Sequence, residues 1–292
     1  MVKKQFSAIG FGLALIMILG QLVGPILESS FPTIFSGVIG TMVASYIGIY
    51  VFGVGLLLVI TRKMTKAKIN EKNTISIKKL ILLFIFGYGT SSFVTLAYNY
   101  LFKLLGANDG NAVGAAVVQM DLVQNLLVVV CIGPILEELL YRGLLYKLIA
   151  PIGKYQYIVF SSVAFGLFHG NISQIIYASI LGAILGYIMW ETKNIMYTIL
   201  FHILNNFIGG FLPLVLGDGK LGYIVIYSLM AISIAATVLM VLFVLKKGAV
   251  RKTIMQMKKV SFKPLFINFG TLTYIIICSL LAIATIAMQL LV

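Results

Sequence analysis

The 292-residue chain is 61% hydrophobic and 10% charged, whereas about a quarter of the residues of a soluble globular domain are charged. Its mean hydropathy of +1.07 excludes such a domain and predicts an all-α polytopic membrane protein. The formal net charge is +14, with only eight acidic residues and two histidines. Each ionisable group inside an apolar segment therefore requires an explanation.

The basic residues indicate membrane topology rather than nucleic-acid binding. Of the 22 Lys and Arg residues, 14 lie in two loops, 62–79 and 246–263, and each loop is flanked by apolar segments. An excess of basic residues is typical of cytoplasmic loops, where it attracts anionic lipid headgroups. We therefore expect these loops to contact the anionic headgroups of the lipid bilayer. We do not expect them to bind nucleic acid.

Apolar segments of about 17 to 25 residues predict nine transmembrane helices, with eight as the alternative count. The segments are 6–27, 35–60, 80–102, 118–146, 155–170, 174–191, 195–213, 221–245 and 267–291. The first follows Lys3 and Lys4 and has no clear cleavage site, so we interpret it as a retained anchor. A cytoplasmic N-terminus places 20 basic residues inside and two outside, and we expect an integral protein of the plasma membrane.

The position of the polar residues predicts three parts of the chain. These are N-terminal transmembrane helices at 1–116, a catalytic core at 117–213 that contains helices four to seven, and C-terminal transmembrane helices at 214–292. Glycines four residues apart, such as Gly182 and Gly186, are interpreted as sites of close helix packing.

Three charged residues interrupt the fourth predicted helix. Glu137, Glu138 and Arg142 lie inside its apolar stretch, where each charge costs about 2.5 to 3.5 kcal/mol on insertion scales. Glu138 and Arg142 are four residues apart and can pair, whereas Glu137 lies about 100° around the helix without a local cation. Pro134 removes a backbone donor one turn earlier. Glu138 and Arg142 are compatible with a buried ion pair that only fixes helix packing. Glu137 has no such partner, and an unpaired carboxylate inside the membrane indicates a function.

Both histidines of the chain lie in predicted helices close to this one in sequence. Phe165 and His169 share a face of the fifth helix, and His202 and Asn206 share a face of the seventh. At 1.5 Å per residue, Glu137, His169 and His202 lie roughly 15, 22 and 13 Å from the nearest cytoplasmic basic residues. We therefore expect a shared polar cavity near the middle of a hydrocarbon core about 30 Å thick, with His169 as the outlier.

The residues expected in this cavity favour hydrolysis of an acyl bond. A carboxylate can accept a proton from water, two imidazoles can donate, accept or bind metal, and a carboxamide can donate to a developing oxyanion. The sequence contains no Gly-x-Ser-x-Gly elbow, no His-Glu-x-x-His pair and no phosphate loop. A covalent nucleophile is therefore not indicated.

Three ordered motifs resemble a known family. They are Glu137-Glu138-x-x-x-Arg142, Phe165-x-x-x-His169 and His202-x-x-x-Asn206, which together use both histidines of the chain. This order resembles the CPBP intramembrane proteases, also called the Abi or CAAX-protease type, which include the CAAX prenyl endopeptidases. The resemblance covers residues 120–212 and implies cleavage of a peptide bond inside the membrane.

The resemblance also implies a role for each residue. Glu137 would be the general base that activates water, aided by His169. His202 and Asn206 would stabilise the tetrahedral oxyanion. Glu138 and Arg142 would organise the site.

The same family is also described as metalloprotease, which implies zinc. Glu137, His169 and His202 would then be the ligands, since two His and a Glu with one water form a recognised catalytic zinc set. No helix of the sequence carries two His four residues apart, so such an ion would have to be held by three helices. We favour metal-independent activation of water.

Two other classes of function are compatible with the sequence. Intramembrane Glu, His and Arg also occur in the proton relays of transporters, although the chain shows no internal repeat or paired broken helices. A non-catalytic bacteriocin-immunity or scaffold protein could share the fold. For the leading hypothesis the expected partner is a hydrophobic or lipidated peptide, and prenylated CAAX protein, peptide pheromone and bacteriocin-related peptide all stay open.

Overall fold

The protein is a bundle of long apolar helices. Its structure, a computed structural model, describes residues 1–69, 71–104, 119–217, 219–246 and 249–291. Every regular element within these ranges is helical, as predicted. Eight helices of the described residues are long and apolar enough to cross a membrane, which equals the alternative predicted count. The chain is an integral membrane protein.

The described residues form ten helices of ten or more residues. They are α1 Val2–Ser30, α2 Gly37–Ile60, α3 Ile77–Leu104, α4 Leu122–Ile149, α5 Lys154–Phe168, α6 Ile172–Thr192, α7 Ile195–Leu216, α8 Lys220–Lys246, α9 Ala249–Lys258 and α10 Phe269–Leu291. The candidate membrane spans are all of these except α5 and α9. The predicted boundary between residues 116 and 117 lies outside the described residues, and the one between 213 and 214 falls inside α7.

The fifth predicted span forms the short helix α5. Its 15 residues extend about 22 Å, less than a hydrocarbon core of about 30 Å. Gly170, with φ +57°, turns the chain back into α6, and Lys154 Nζ at the start of α5 lies 2.6 Å from Glu191 Oε1 near the end of α6. The two helices therefore form an antiparallel hairpin, in which the start of α5 and the end of α6 lie on the same side of the membrane. The helices that follow cross the membrane in the same directions as in the nine-helix prediction.

The loop after α2 and helix α9 lie at the same face of the bundle. The Ala67 N–H donates to the Lys147 carbonyl at the end of α4, at 2.7 Å. The Tyr155 hydroxyl at the start of α5 bonds Gln256 of α9 at 2.5 Å. These contacts bring the two basic loops to one face, the face that the sequence predicts to be cytoplasmic.

Helices from the two ends of the chain pack directly on each other. A Cβ at Gly10 of α1 would overlap the backbone of Thr271 in α10, and a Cβ at Gly270 would overlap the Ser7 carbonyl. The Thr271 hydroxyl donates to the Phe6 carbonyl at 3.3 Å. Glycine allows this close approach, and α1 and α10 therefore form one unit.

This unit supports the hairpin that carries His169. The rings of Phe6 in α1 and Phe160 in α5 lie 4.8 Å apart, and the Tyr274 hydroxyl of α10 donates to the Ala164 carbonyl of α5 at 2.7 Å. Within the hairpin, a Cβ at Gly182 would lie 3.0 Å from Ser162 Cα. The packing role predicted for Gly182 is therefore confirmed.

The contact between α1 and α10 leads to a stability prediction. We expect Gly10→Ala to lower the free energy of unfolding by about 1–3 kcal/mol, because the added methyl group overpacks the interface. The readout is a lower melting temperature in detergent micelles, followed by circular dichroism.

Gly55→Ala is the matched control. Gly55 is also helical, but a Cβ there meets nothing within 4 Å, so both variants gain the same helix propensity of Ala over Gly. Equal melting temperatures for the two variants would contradict the close packing of α1 against α10.

Candidate active site

Helix α4 carries two carboxylates between two stretches of irregular backbone. Leu126–Ile132 and Leu139–Leu144 are π-helical, and the α-helical turn Gly133–Glu138 lies between them. π-turns inside membrane and soluble helices frequently occur at functional sites. The Glu pair therefore lies where the backbone departs from a regular helix.

The missing backbone donor of Pro134 leaves a carbonyl free for a side chain. The Gly133 N–H bonds the carbonyl of Val128, five residues earlier. At the same spacing the Val129 carbonyl would need an N–H from Pro134, which has none. Asn206 Nδ2 of α7 donates to this Val129 carbonyl at 3.0 Å instead. The irregular turn thus fixes α7 to α4.

Glu138 lies at the centre of a buried polar network. Its Oε1 accepts from Arg142 Nη1 at 2.9 Å and from His202 Nδ1 at 3.0 Å. The side chains of Glu138 and Arg142 are completely buried. Arg142 Nη2 also donates to the Gly182 carbonyl at 3.0 Å. The pairing predicted from the spacing of Glu138 and Arg142 is present, and it joins α4 to α6 and α7.

The Phe165 ring connects this network to the hairpin. The guanidinium carbon of Arg142 lies 4.6 Å from the Phe165 ring centroid, a cation–π contact. The rings of His169 and His202 meet the same ring nearly perpendicularly, with centroids 5.0 and 5.6 Å away. The centroids of the two imidazole rings are therefore separated by no more than the sum of these two centroid distances. The sequence marked Phe165 only by its spacing to His169 and gave no indication of the contact with Arg142.

Glu137 is the accessible carboxylate of the pair. Its side chain is 18% exposed, whereas that of Glu138 is 0% exposed. Glu137 Oε2 lies 3.7 Å from His202 Nε2, which is longer than a hydrogen bond. His202 donates through Nδ1 to Glu138, so its other nitrogen faces Glu137. One carboxylate is closed off in an ion pair, and its neighbour is partly exposed at the surface of the bundle.

His169 has one ring nitrogen committed and one left over. Its Nδ1 lies 2.9 Å from the Phe165 carbonyl. A carbonyl only accepts, so Nδ1 carries a hydrogen, and in the neutral ring Nε2 then has the lone pair. Polar contacts thus join Glu137, Glu138, Arg142 and His202, whereas His169 reaches the group through the Phe165 ring.

Asn206 lies beyond the network, toward the start of α4. The Val129 carbonyl that it binds is eight residues before Glu137, about two helical turns. A carboxamide has two hydrogens, so the bond to Val129 leaves one for another acceptor. The structure shows Asn206 holding α4 and does not place it in contact with Glu137.

The side chains predicted as zinc ligands do not gather into a ligand group. Among the described residues, no set of three or more His, Cys, Asp or Glu side chains is arranged to hold a metal ion. The Nδ1 atoms of His169 and His202 are both bonded within the protein. We therefore derive no step through a metal, and zinc ligation by Glu137, His169 and His202 stays a prediction.

Two tyrosines of α2 lie close to the Glu pair without any motif that indicated them. The rings of Tyr46 and Tyr50 meet edge to face, with centroids 5.7 Å apart. The Tyr46 hydroxyl lies 3.2 Å from the position of a Cβ on Gly133, one turn before Glu137. Both phenols are within electrostatic range of the Glu137 carboxylate. Aromatic residues one turn apart are ordinary in membrane helices, so the sequence offered no signal for them.

One family model matches part of the chain. This model, described as "Type II CAAX prenyl endopeptidase Rce1-like", matches residues 119–208. This segment resembles the Rce1-like family. All six site residues predicted from the three motifs lie inside the Rce1-like segment, so the resemblance predicted from them is confirmed. No curated protein and no solved structure was found to match the chain.

The Rce1-like segment covers less than half of the chain. It contains α4, α5, α6 and most of α7, the helices that supply every contact of the Glu138 network. The family is one of endopeptidases, which supports the predicted class of membrane-embedded protease. Helices α1 to α3 and α8 to α10 lie outside the segment.

The burial of Arg142 leads to a second stability prediction. We expect Arg142→Gln to lower the free energy of unfolding by about 3–5 kcal/mol, because it leaves the Glu138 carboxylate buried without its cation. The readout is denaturant-induced unfolding in detergent micelles.

Lys154→Gln is the control for loss of a basic partner. It breaks the pair with Glu191, whose side chains are 32% and 36% exposed, so we expect a loss of only about 0–1 kcal/mol. Comparable losses in the two variants would show that the Glu138 network does not stabilise the bundle.

Proposed function

We propose that the protein is an intramembrane endopeptidase that hydrolyses a peptide bond of a membrane-anchored or lipidated peptide by means of water activated by Glu137. The observation that carries this proposal is the contrast between two adjacent carboxylates. Glu138 is fully buried against Arg142 and His202, whereas Glu137 is partly exposed beside an imidazole. A general base must reach its water, and of these two carboxylates Glu137 is the exposed one, which supports the proposal.

In the first step Glu137 takes a proton from water. The water oxygen attacks the carbonyl carbon of the scissile bond, so a C–O bond forms and the carbonyl oxygen becomes an oxyanion. His169 Nε2 carries a free lone pair, because Nδ1 donates to the Phe165 carbonyl. It can accept the second hydrogen of the water and orient the attack.

His202 is suited to stabilise the oxyanion as an imidazolium. Its Nδ1 already donates to Glu138, so a proton on Nε2 would give a second donor that faces the open side of the site. A charged donor stabilises an oxyanion most strongly in a medium of low dielectric constant. The unused amide hydrogen of Asn206 is the second proposed donor.

In the last step the tetrahedral intermediate collapses. Glu137 returns its proton to the amide nitrogen, and the C–N bond breaks to give a carboxylic acid and an amine. The proton of the acid passes to the amine, so a carboxylate and an ammonium group leave the site. Glu138 and Arg142 take no proton in this sequence. They are positioning residues, since they hold the His202 ring with Nε2 toward Glu137.

The substrate class follows from the apolar surroundings of the site. A lipid chain on a peptide contributes about 0.8 kcal/mol of membrane binding for each buried CH₂ group, which concentrates the peptide where Glu137 lies. The family description names CAAX prenyl endopeptidases. We therefore propose a prenylated peptide that ends in Cys-aliphatic-aliphatic-X as the first substrate to test.

The role of Glu137 is tested by substitution in reconstituted liposomes that contain this prenylated peptide. We expect Glu137→Gln to lower the cleavage rate by about 10²- to 10⁴-fold, because it removes the general base and keeps the size of the side chain. Cleavage is measured by mass spectrometry of the released tripeptide.

Glu71→Gln is the matched control, since it makes the same change in the exposed loop before α3, and we expect it to cleave at the wild-type rate. A Glu137→Gln protein with wild-type activity would exclude Glu137 as the base. Loss of wild-type activity on addition of a chelator would favour the metal alternative. If no peptide is cut but a proton gradient dissipates in a Glu137-dependent way, the protein is a transporter.

The proposed role of Asn206 as an oxyanion donor is tested in the same assay by comparing substitutions of Asn206 and of Asn205. We expect Asn206→Ala to lower kcat by about 10²- to 10³-fold, the usual effect of removing one oxyanion donor. Asn205 bonds Asn206 Oδ1 at 3.4 Å, so Asn205→Ala tests loss of a neighbouring amide, and we expect a change of less than about tenfold. Equal losses in both variants would exclude a specific role for the Asn206 amide.

A further inference from the structure

A groove lies between α3 and α6, and Glu137 is not among its lining residues. It encloses about 370 Å³, which is within the range of small-molecule sites. Its walls are apolar and include Leu83 and Phe86 of α3 and Ile180, Ala183, Ile184 and Tyr187 of α6. The groove is open toward the surroundings of the bundle, so a hydrocarbon chain of the bilayer can enter it.

Basic side chains close one end of this groove. Lys79 Nζ donates to the Tyr187 hydroxyl at 2.5 Å. The ammonium groups of Lys79 and Lys154 lie 4.9 and 5.1 Å from the centroid of the Tyr187 ring. Lys154 is paired with Glu191 at 2.6 Å, whereas Lys79 is bonded to a neutral phenol. The three charged residues therefore give this end a net charge of +1.

A groove with apolar walls and a basic end is complementary to one kind of membrane molecule. We propose that it binds an anionic phospholipid, with an acyl chain along α6 and the headgroup phosphate at Lys79 and Lys154. The basic end lies at the face with the two basic loops, and anionic lipids are concentrated in the leaflet that such loops face. A zwitterionic lipid fits the apolar walls equally well but offers no net charge to this end.

The groove and the Glu138 network lie against the same helix. Ala183 lines the groove, and the adjacent Gly182 carbonyl accepts from Arg142. Ile184 belongs to one buried apolar cluster with Phe201, the residue before His202. A lipid in the groove therefore packs against the part of α6 whose carbonyl binds Arg142. Lipid binding itself does not depend on the proposed function.

The single tryptophan of the chain makes lipid binding measurable. Trp190 lies in α6, three residues after Tyr187. It is partly buried against the core, and a bromine atom in a nearby acyl chain quenches its fluorescence. The experiment reconstitutes the full chain in phosphatidylcholine vesicles and adds increasing fractions of phosphatidylglycerol that is brominated near the headgroup end of its chains. A parallel series uses brominated phosphatidylcholine in place of the anionic lipid.

We expect half-maximal quenching at a fraction of phosphatidylglycerol roughly fivefold lower than that of brominated phosphatidylcholine, about the effect of one basic residue at an anionic surface. Lys79→Gln should remove this preference. Ala183→Phe, which fills the groove, should reduce quenching by both lipids. Lys78→Gln is the matched control, since Lys78 is also exposed, and it should keep the preference.

Several results would overturn the proposal. Equal quenching by the two lipids would exclude recognition of the headgroup, and an unchanged preference in Lys79→Gln would exclude this end of the groove. Displacement of the brominated lipid by the prenylated peptide would assign the groove to the substrate chain instead. Because Lys79→Gln changes an exposed side chain, its circular dichroism should equal that of the wild type, and binding is scored without any measurement of cleavage.

Discussion

The burial of one negative charge determines much of the arrangement around it. A carboxylate removed from water is tolerated only when cations and donors surround it, and Glu138 obtains both from Arg142 and His202. Arg142 also binds the Gly182 carbonyl of α6, and His202 lies on α7. The bonds to Glu138 Oε1 therefore bring α4, α6 and α7 together. The orientation of the His202 ring, and with it the side that faces Glu137, follows from this requirement.

Two identical side chains at consecutive positions thus have different surroundings. Consecutive residues of a helix point about 100° apart, which is enough to bury Glu138 inside the bundle and leave Glu137 partly exposed. Enzymes that use two carboxylates commonly separate their roles by such a difference in environment. The irregular turns of α4 and the aromatic contacts of Phe165 maintain the difference by fixing the neighbouring helices.

The features that could be predicted from the sequence are those set by short-range spacing and by hydropathy. Apolar segments predicted the membrane helices, and the four-residue spacing predicted the pair of Glu138 with Arg142. Hydropathy did not reveal that α5 is too short to span, because the segment 155–170 is apolar over nearly its whole length and hydropathy does not show that the helix ends at Phe168. The bond from Asn206 to the Val129 carbonyl and the approach of Tyr46 to Gly133 could not be predicted. Both depend on which helices become neighbours, a property that no local pattern encodes.

The hairpin of α5 and α6 affects how the protein is assembled in the membrane. An arm of about 22 Å cannot be retained as an independent span, and its polar tip near Gly170 needs partners from other helices. The Thr285 hydroxyl of α10 bonds the Gly170 carbonyl at 3.4 Å. A helix near the end of the chain therefore contributes a bond to the turn that follows His169. The position of this histidine thus depends on a segment that lies far outside residues 119–208 as well as on its own hairpin.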